Sequence, residues 1–239
     1  MGVPEWQNDP EFKNDVFTFV RIRYQSYYGG GYRGGRWQTD YPASDLNFSF
    51  RLQQLTSLKV DPKPVIIELT DPKLFRYPFI YIVEPGALTF TEPEVKALRR
   101  YLENGGFLMV DDFWGDEEWY NFHSEIRRVF PKRELVELPL DHSIFHCVYD
   151  LKVKPQIPSI GHAQGGRYAG RTWERPDAQT PYYKGIFDDD GRMMVIICHN
   201  TDLGDGWERE GEDPWYFKEF SEKYAYPLGI NIVTYAMTH

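Results

Sequence analysis

The stretch FIYIVEPGALTFTEPEVKALRRYLENGGFLMVDD, residues 79–112, carries the strongest fold signal in the chain. Its apolar runs at 79–84 and 107–112 are typical of strands that are covered on both faces of a sheet. Between them, Thr91 and Glu94 form a capping-box pattern ahead of an apolar helical stripe, and a glycine pair follows where the helix should end. Strand, helix and strand in this order predict a parallel β-α-β unit.

The same alternation extends on both sides of this unit. Upstream, residues 16–24 and 65–69 are strand-like runs, and Ser44 is placed to cap a helix between them. Downstream, a second amphipathic helix follows, and Asp190-Gly191 separates two apolar runs as in a β-hairpin. An apolar helical pattern closes the chain. The order of elements therefore predicts an α/β fold with a mainly parallel sheet and helices on both faces.

We expect a single domain over residues 1–239, because no linker divides the chain. Three segments stand outside the regular order and are expected to decorate the domain. They are an N-terminal extension at residues 1–15, a Gly/Tyr/Arg loop at residues 25–43 and an irregular insertion at residues 151–183.

Composition excludes several classes of function. The net charge of −9, from 27 basic and 36 acidic residues, argues against a nucleic-acid partner, because phosphate binding depends on clustered Lys and Arg. No apolar run approaches the roughly 20 residues that cross a bilayer, and the first residues lack the pattern of a signal peptide. Cys147 and Cys198 lack C-x-x-C spacing, which indicates free thiols rather than a structural zinc site.

The two adjacent acids at the end of the quoted stretch are the leading candidates for chemistry. In open α/β sheets, ligands bind beyond the carboxyl ends of the strands, and Asp111 and Asp112 stand at such an end. They could hold a hard cation, act as a general base or bind sugar hydroxyls. The alternative is that one caps the next helix and the other is solvated. Residues 116–118 are interpreted as first-turn helix acids.

Three histidines are candidate metal ligands together with Asp112. His142 and His146 are four residues apart, which would place both rings on one face of a helix, and His162 lies in a loop bounded by glycine. His142 is also a candidate proton donor. The alternative is that these rings are packed or hydrogen-bonded in the ordinary way, since no H-E-x-x-H pattern is present.

Two further segments supply candidate ligand-binding residues. The first is HNTDLGDGWERE, which follows an apolar run and offers oxygen ligands, while its tryptophan could stack on a sugar or pack in the core. The second is the Gly/Tyr/Arg loop, whose glycines match G-x-G-x-x-G but stand too far from the next helix for a dinucleotide site, which favours an aromatic lid. The candidates from both segments are Arg23, Tyr24, Arg36, Trp37, Asn200, Asp202, Asp205 and Trp207.

Several common motifs for covalent nucleophiles are missing from the sequence. Neither a G-x-S-x-G elbow nor a P-loop occurs. Cys198 and His199 are adjacent and are the third candidate, for residual amidotransferase or protease chemistry, but neighbouring residues on a strand point to opposite faces, which disfavours a dyad.

Four segments resemble one bacterial family, the domain of unknown function 4159: DPKLFRYPFIYIVEPGALTFTEPEVKALRRYLENGGFLMVDDFWG, FPKRELVELPLDHSIFHCVYD, NTDLGDGWE and GINIVTYAMTH. The resemblance implies a class I glutamine amidotransferase-like fold of the flavodoxin kind and an exported, periplasmic protein. In that fold a cysteine nucleophile follows the strand that is FLMVDD here. Asp111, Asp112 or Phe113 occupies its place, so glutamine amidotransferase chemistry is not expected.

These observations lead to two hypotheses. The first is a site for a polar ligand or divalent metal ion at the carboxyl edge of the sheet, with hydrolysis as its activity and Asp111, Asp112 and His142 as catalytic residues. The second is a non-catalytic module that binds a glycan or a protein through its aromatic rim.

Overall fold

The computed structural model describes residues 3–12, 15–27 and 35–239. The strands are β1 Val20–Ile22, β2 Gln25–Ser26, β3 Val65–Ile67, β4 Phe79–Val83, β5 Leu88–Thr89, β6 Phe107–Asp111, β7 Val136–Glu137, β8 Tyr182–Phe187 and β9 Met193–His199. The helices are α1 Ala43–Leu55, α2 Glu92–Glu103, α3 Gly115–Val129, α4 Ile160–Gly166, α5 Leu203–Glu208, α6 Pro214–Tyr216 and α7 Tyr226–Thr238. A π-helical segment, Phe217–Ala225, joins α6 to α7.

A seven-stranded sheet forms the centre of the molecule, in the order β3-β1-β4-β6-β9-β8-β7. The strands from β3 to β9 in this order are mutually parallel, whereas β8 pairs with β9 and β7 with β8 in the antiparallel sense. β2 and β5 form a separate two-stranded sheet. The α/β fold with a mainly parallel sheet, predicted from the order of elements, is confirmed.

Alternate residues of the central strands enter two different hydrophobic cores. On β4, Phe79 and Tyr81 face the core that contains residues of α1, α5 and α7, while Ile80 and Ile82 face the core formed with α2 and α3. This alternation follows from the two-residue period of a strand. Because both faces are covered, the strands are nearly continuous apolar runs.

Several local predictions are confirmed. Thr91 and Glu94 make both hydrogen bonds of a capping box at the start of α2. Gly105, just past the end of α2, has a φ of 97°, a conformation that glycine adopts without strain. Gly191, with a φ of 83°, lies in the turn between β8 and β9.

Other element boundaries differ from the predictions. The strand predicted at residues 16–24 is reduced to β1, and Phe17 forms only an isolated bridge to Val60. Helix α1 begins at Ala43, and Ser44 does not cap it, because its hydroxyl accepts a hydrogen bond from the buried Arg21 instead.

The three segments outside the regular order of elements have different structures. In the N-terminal extension, the Trp6 indole donates to the Val60 carbonyl over 2.8 Å. Residues 28–34 of the Gly/Tyr/Arg loop lie outside the described residues, so the predicted lid and the G-x-G-x-x-G pattern lie there too. The insertion contains the short helix α4. Within the described ranges, no helix has the length and apolar character needed to span a membrane.

Candidate functional site

Three aspartates meet at the carboxyl edge of the sheet. Asp112 directly follows β6, Asp202 immediately precedes α5, and Asp40 lies in the turn before α1. Each offers a carboxylate oxygen, and these oxygens all lie within 4.8 Å of one another. This set is called the aspartate triad below. It is the arrangement that an oxygen-ligated cation requires.

The backbone is strained at the same place. Among the described residues, the non-glycine residues with positive φ are Asp40 (63°), Glu84 (45°), Asp112 (58°) and Asn200 (61°). Two belong to the aspartate triad, and the other two directly follow β4 and β9. A left-handed conformation costs a non-glycine residue about 1–2 kcal/mol, least for Asp and Asn, and such strain clusters at functional sites.

A buried arginine fixes the segment that carries Asp40. Arg21, in the middle of β1, is fully buried and forms an ion pair of 2.5 Å with Asp45 on α1. The same guanidinium donates to the carbonyl oxygens of Trp37 and Thr39, over 3.0 and 2.8 Å. The turn is therefore held from both sides, which places Asp40 over the end of the sheet.

The electrostatic environment of the triad favours a positive charge. Asp112 and Asp202 are only 7% and 4% exposed, and burial, followed by the charges of neighbouring carboxylates, raises the pKa of each well above the usual range. Burial and the charges of Asp205 and Glu208 raise the pKa of Asp40 in the same way. In the described part of the chain, no Lys or Arg forms an ion pair with any of the three. A cation bound here would relieve the repulsion between the three carboxylates.

The fit to a cation is supported by one oxygen atom. Asp40 Oδ2 is buried and accepts no hydrogen bond from the described residues. It lies against Gly204, where a Cβ atom would come within 2.5 Å of it. A buried carboxylate oxygen without a donor is unfavourable, and a cation ligand bond would satisfy it.

A second carboxylate group shares Asp40 but differs in its charge balance. It consists of Asp40, Asp205 and Glu208. Arg209 contacts two of its members, with 2.9 Å from Nε to Asp205 Oδ1 and 2.9 Å from Nη2 to Glu208 Oε2. Asp205 also accepts a hydrogen bond from the Ile160 amide. Because a guanidinium offsets one charge of this group, whereas no Lys or Arg forms an ion pair with the aspartate triad among the described residues, the aspartate triad is the better cation site.

Asp111 does not belong to the triad. Its Oδ2 accepts hydrogen bonds from the amides of Leu203 and Gly204, over 2.9 and 3.1 Å, and from the Tyr81 hydroxyl over 3.2 Å. Burial raises the pKa of Asp111 to about 7. The residue therefore anchors the start of α5, next to Asp202, and holds that end of the triad in place.

Replacing Asp111 by alanine should lower the free energy of unfolding by about 3 kcal/mol, because three buried donors lose their acceptor. Asparagine keeps one carbonyl oxygen at this position and should cost about 1 kcal/mol. Urea unfolding of the two variants and the parent protein measures both values. Equal losses for alanine and asparagine would contradict this role.

The structure does not bring the three candidate histidines to Asp112. His142 and His146 flank a 3-10 turn, Ser143–Phe145, rather than lying on one face of a helix. His142 packs against Phe187, which pairs with the first residue of β9, so it lies at the opposite, amino edge of the sheet. His146 instead pairs with Asp150 over 2.7 Å.

His162 lies in the insertion and is engaged in other contacts. Its Nδ1 is 2.9 Å from the Ser159 hydroxyl and 3.3 Å from a carboxylate oxygen of Glu174. The charge of Glu174 also contributes to the raised pKa of Asp112.

The candidate ligand-binding residues have several different roles. Trp207 is fully buried and stacks in the core against Phe48, with ring centroids 4.4 Å apart, so it offers no face to a ligand. Asn200 bonds the Gly115 amide and the Thr180 carbonyl, which ties the ends of β9 and α3 together.

Three other candidates line a separate cavity of about 370 Å³. They are Arg23, Tyr24 and Trp37, and no member of the triad lines this cavity. Arg23 is paired with Glu68 over 2.6 Å. The Tyr24 hydroxyl donates to backbone carbonyls at the end of β4.

Arg36 lies at the rim of the site, where it joins a cluster that the sequence did not reveal. Its Nη1 is 3.4 Å from Glu84 Oε2 and 3.3 Å from Glu118 Oε1. Arg175 approaches the same Glu118 oxygen to 2.6 Å. Glu118, predicted to be an ordinary first-turn acid, is thus the meeting point of two guanidinium groups.

Comparison with known protein families identifies the class of this chain. The family model described as domain of unknown function (DUF4159) matches residues 18–237. The chain belongs to this family. A search of curated proteins gave no match.

Proposed function

We propose that the aspartate triad binds a divalent cation and that the cation assists hydrolysis of a polar substrate. The observation that carries the proposal is three converging carboxylates, two of them buried, that lack a compensating basic group among the described residues. In such a site the mutual repulsion of the carboxylates is relieved when a cation binds.

The ligand chemistry favours hard cations. All three proposed ligands are carboxylates, which suit Mg²⁺, Mn²⁺ and Ca²⁺, whereas zinc sites in proteins more often include His or Cys. The proposed ligand set therefore omits His142, His146 and His162. When bound, the cation would lower the pKa of a coordinated water and supply the nucleophile that the sequence lacks.

The fold gives further support. The five parallel strands follow the order 2-1-3-4-5 when they are numbered along the chain, which is the order of flavodoxin-like proteins. We propose that the domain is flavodoxin-like and related to class I glutamine amidotransferases. Asp112, in a left-handed conformation just after β6, would then stand at the turn that carries the nucleophile in that fold.

Titration calorimetry of chelator-treated protein tests the cation site. We expect one equivalent of Mn²⁺, Mg²⁺ or Ca²⁺ to bind more tightly than Zn²⁺, and we expect hydrolysis of a panel of p-nitrophenyl esters to require the cation and to stop on addition of EDTA. If none of these cations binds, the proposal is wrong. Binding without hydrolysis of any ester would retain the site and remove the enzymatic activity.

A further inference from the structure

We propose that the substrate is a phosphate ester, and that Arg36 and Arg175 hold its phosphoryl oxygens while the cation of the aspartate triad holds another. This inference rests on the proposed function, because the cation is one of the three groups that bind the phosphate. It adds the class of substrate and two residues that recognise it.

The two arginines converge from distant parts of the chain. Arg36 lies in the 3-10 turn before α1, and Arg175 lies in the insertion, yet each has a nitrogen within 3.3 Å of Glu118 Oε1. Their side chains are 35% and 41% exposed, whereas that of Glu118 is only 10% exposed. The carboxylate thus aligns two guanidinium groups that remain accessible from solvent.

The pair lies beside the aspartate triad. Arg36 also contacts Glu84, which follows β4, the strand adjacent to β6. Glu118 Oε2 accepts a hydrogen bond from the Trp114 amide over 2.8 Å, and the Trp114 indole donates to Asp112 Oδ1 over 3.2 Å. The carboxylate that both arginines contact is therefore joined to Asp112 through Trp114.

The number and kind of groups favour phosphate over other anions. A guanidinium is a planar fork of N–H donors that matches phosphate and carboxylate oxygens. A carboxylate ligand has two oxygens, but a phosphoryl group has three peripheral oxygens, enough to contact two guanidinium groups and a cation simultaneously. Neutral sugars would gain little from two positively charged groups at the rim.

The corresponding reaction is simple hydrolysis. A water oxygen forms a bond to phosphorus while the ester P–O bond breaks, and the water loses a proton as the leaving oxygen gains one. The products are an alcohol and inorganic phosphate, and no oxidant or additional co-reactant is needed. The arginines would stabilise the charge on the phosphoryl oxygens during this step.

Titration of the Mn²⁺-loaded protein with inorganic phosphate tests the inference. The variants Arg36→Gln and Arg175→Gln should each weaken phosphate binding by about ten- to a hundred-fold, the range for one charge-assisted contact. Their affinity for Mn²⁺ alone should be unchanged. The same variants should raise the KM for p-nitrophenyl phosphate.

Arg128→Gln is the matched control, because Arg128 is also 35% exposed and also contacts two carboxylates, Glu92 and Glu125. It should bind phosphate like the parent protein. Thermal unfolding of every variant checks that the fold is retained, and Arg36→Lys serves if Arg36→Gln unfolds, since a bidentate site should not accept lysine fully.

The outcomes separate the two proposals. Absence of cation binding overturns both. Cation binding without phosphate binding, or phosphate binding that Arg36→Gln and Arg175→Gln leave unchanged, overturns the phosphate inference and leaves the proposed cation site in place.

Discussion

Replacing Asp112 by asparagine should weaken divalent-cation binding on the order of 100-fold, because the triad loses one of its three negative charges at a buried position. Asparagine is the informative substitution, since it tolerates the left-handed conformation that residue 112 adopts. It also keeps an oxygen that can accept the hydrogen bond from the Trp114 indole. The measurement is calorimetric titration with Mn²⁺.

The same variant should have the opposite effect on the cation-free protein. Without a cation, the three carboxylates repel one another, so removing one charge should raise the free energy of unfolding by about 1 kcal/mol at pH 8. A residue that only supports the fold would not stabilise the protein when it is replaced. The combination of weaker binding and greater stability is therefore specific to a binding role.

Asp116→Asn is the control, because Asp116 lies only four residues further along and is an exposed acid in the first turn of α3. It should change neither cation affinity nor stability by a measurable amount. Unaltered Mn²⁺ affinity in Asp112→Asn would refute the assignment of Asp112 as a ligand.

The fold was largely readable from the sequence because its signals are local. The apolar runs of β4 and β6, the capping box of α2 and the turn at Gly191 each depend on residues close together in the chain. The aspartate triad is harder to predict from the sequence, since its members come from three separate segments. Asp112 and Asp202 were found because they lie beside strand ends, where ligands bind in this class of fold.

Asp40 was missed because nothing in its own segment indicates a ligand. Its position depends on Arg21, a charged residue inside a strand, and on that residue's ion pair with Asp45. A buried arginine on a central strand requires a carboxylate partner, and this was the one available signal. Finding the partner needs the packing of α1 on the sheet, which sequence spacing does not provide.

The side-chain directions of Asp111 and Asp112 could be predicted only in part from the sequence pattern. Alternation along β6 places Asp111 on the same face as Met109, toward α5, and that part is regular geometry. Asp112 follows after the strand has ended, and its left-handed backbone sets a direction that no alternation rule supplies. The candidate histidines do not meet Asp112 for a related reason. The spacing of His142 and His146 places two rings together only on a helix, and the chain forms a 3-10 turn there.

Divalent cations should stabilise the protein more at pH 8 than at pH 5. The pKa values of Asp40, Asp112 and Asp202 are raised in the folded protein, so protons and cations compete for the same oxygens. With Mn²⁺ at a hundred times its dissociation constant at pH 8, the expected gain is about 2.7 kcal/mol, and it should shrink as protons occupy the site.

In the cation-free protein, the direction in which stability changes with pH follows from the linkage between proton binding and folding. Unfolded aspartates titrate near pH 4, and the folded ones titrate higher, so the folded state binds more protons over the interval between them. Stability is therefore greatest below the unfolded pKa and falls as pH rises through the folded values. Asp111, with a pKa of about 7, contributes with the same sign up to neutral pH.

His199 changes the free energy of unfolding in the opposite direction with pH, so its contribution must be separated from that of the aspartates. Burial lowers its pKa to about 4, so its contribution to stability grows as pH rises from that value toward the unfolded pKa of about 6.5. Its ring contacts the Gly115 carbonyl and packs on Phe113, and it offers no ligand to the triad. Its contribution should therefore be the same with and without cation, and should cancel in the difference.

The measurement is thermal unfolding across pH 5 to 8.5, in chelator and in Mn²⁺, with the difference taken at each pH. That difference should increase with pH in the parent protein and be nearly flat in Asp112→Asn. Calorimetry in buffers of different ionisation enthalpy should also detect protons released on binding. A stabilisation by Mn²⁺ that is equal at pH 5 and pH 8 would mean that the cation binds elsewhere, because the pKa values of all three triad carboxylates are raised and protons should compete with the cation there.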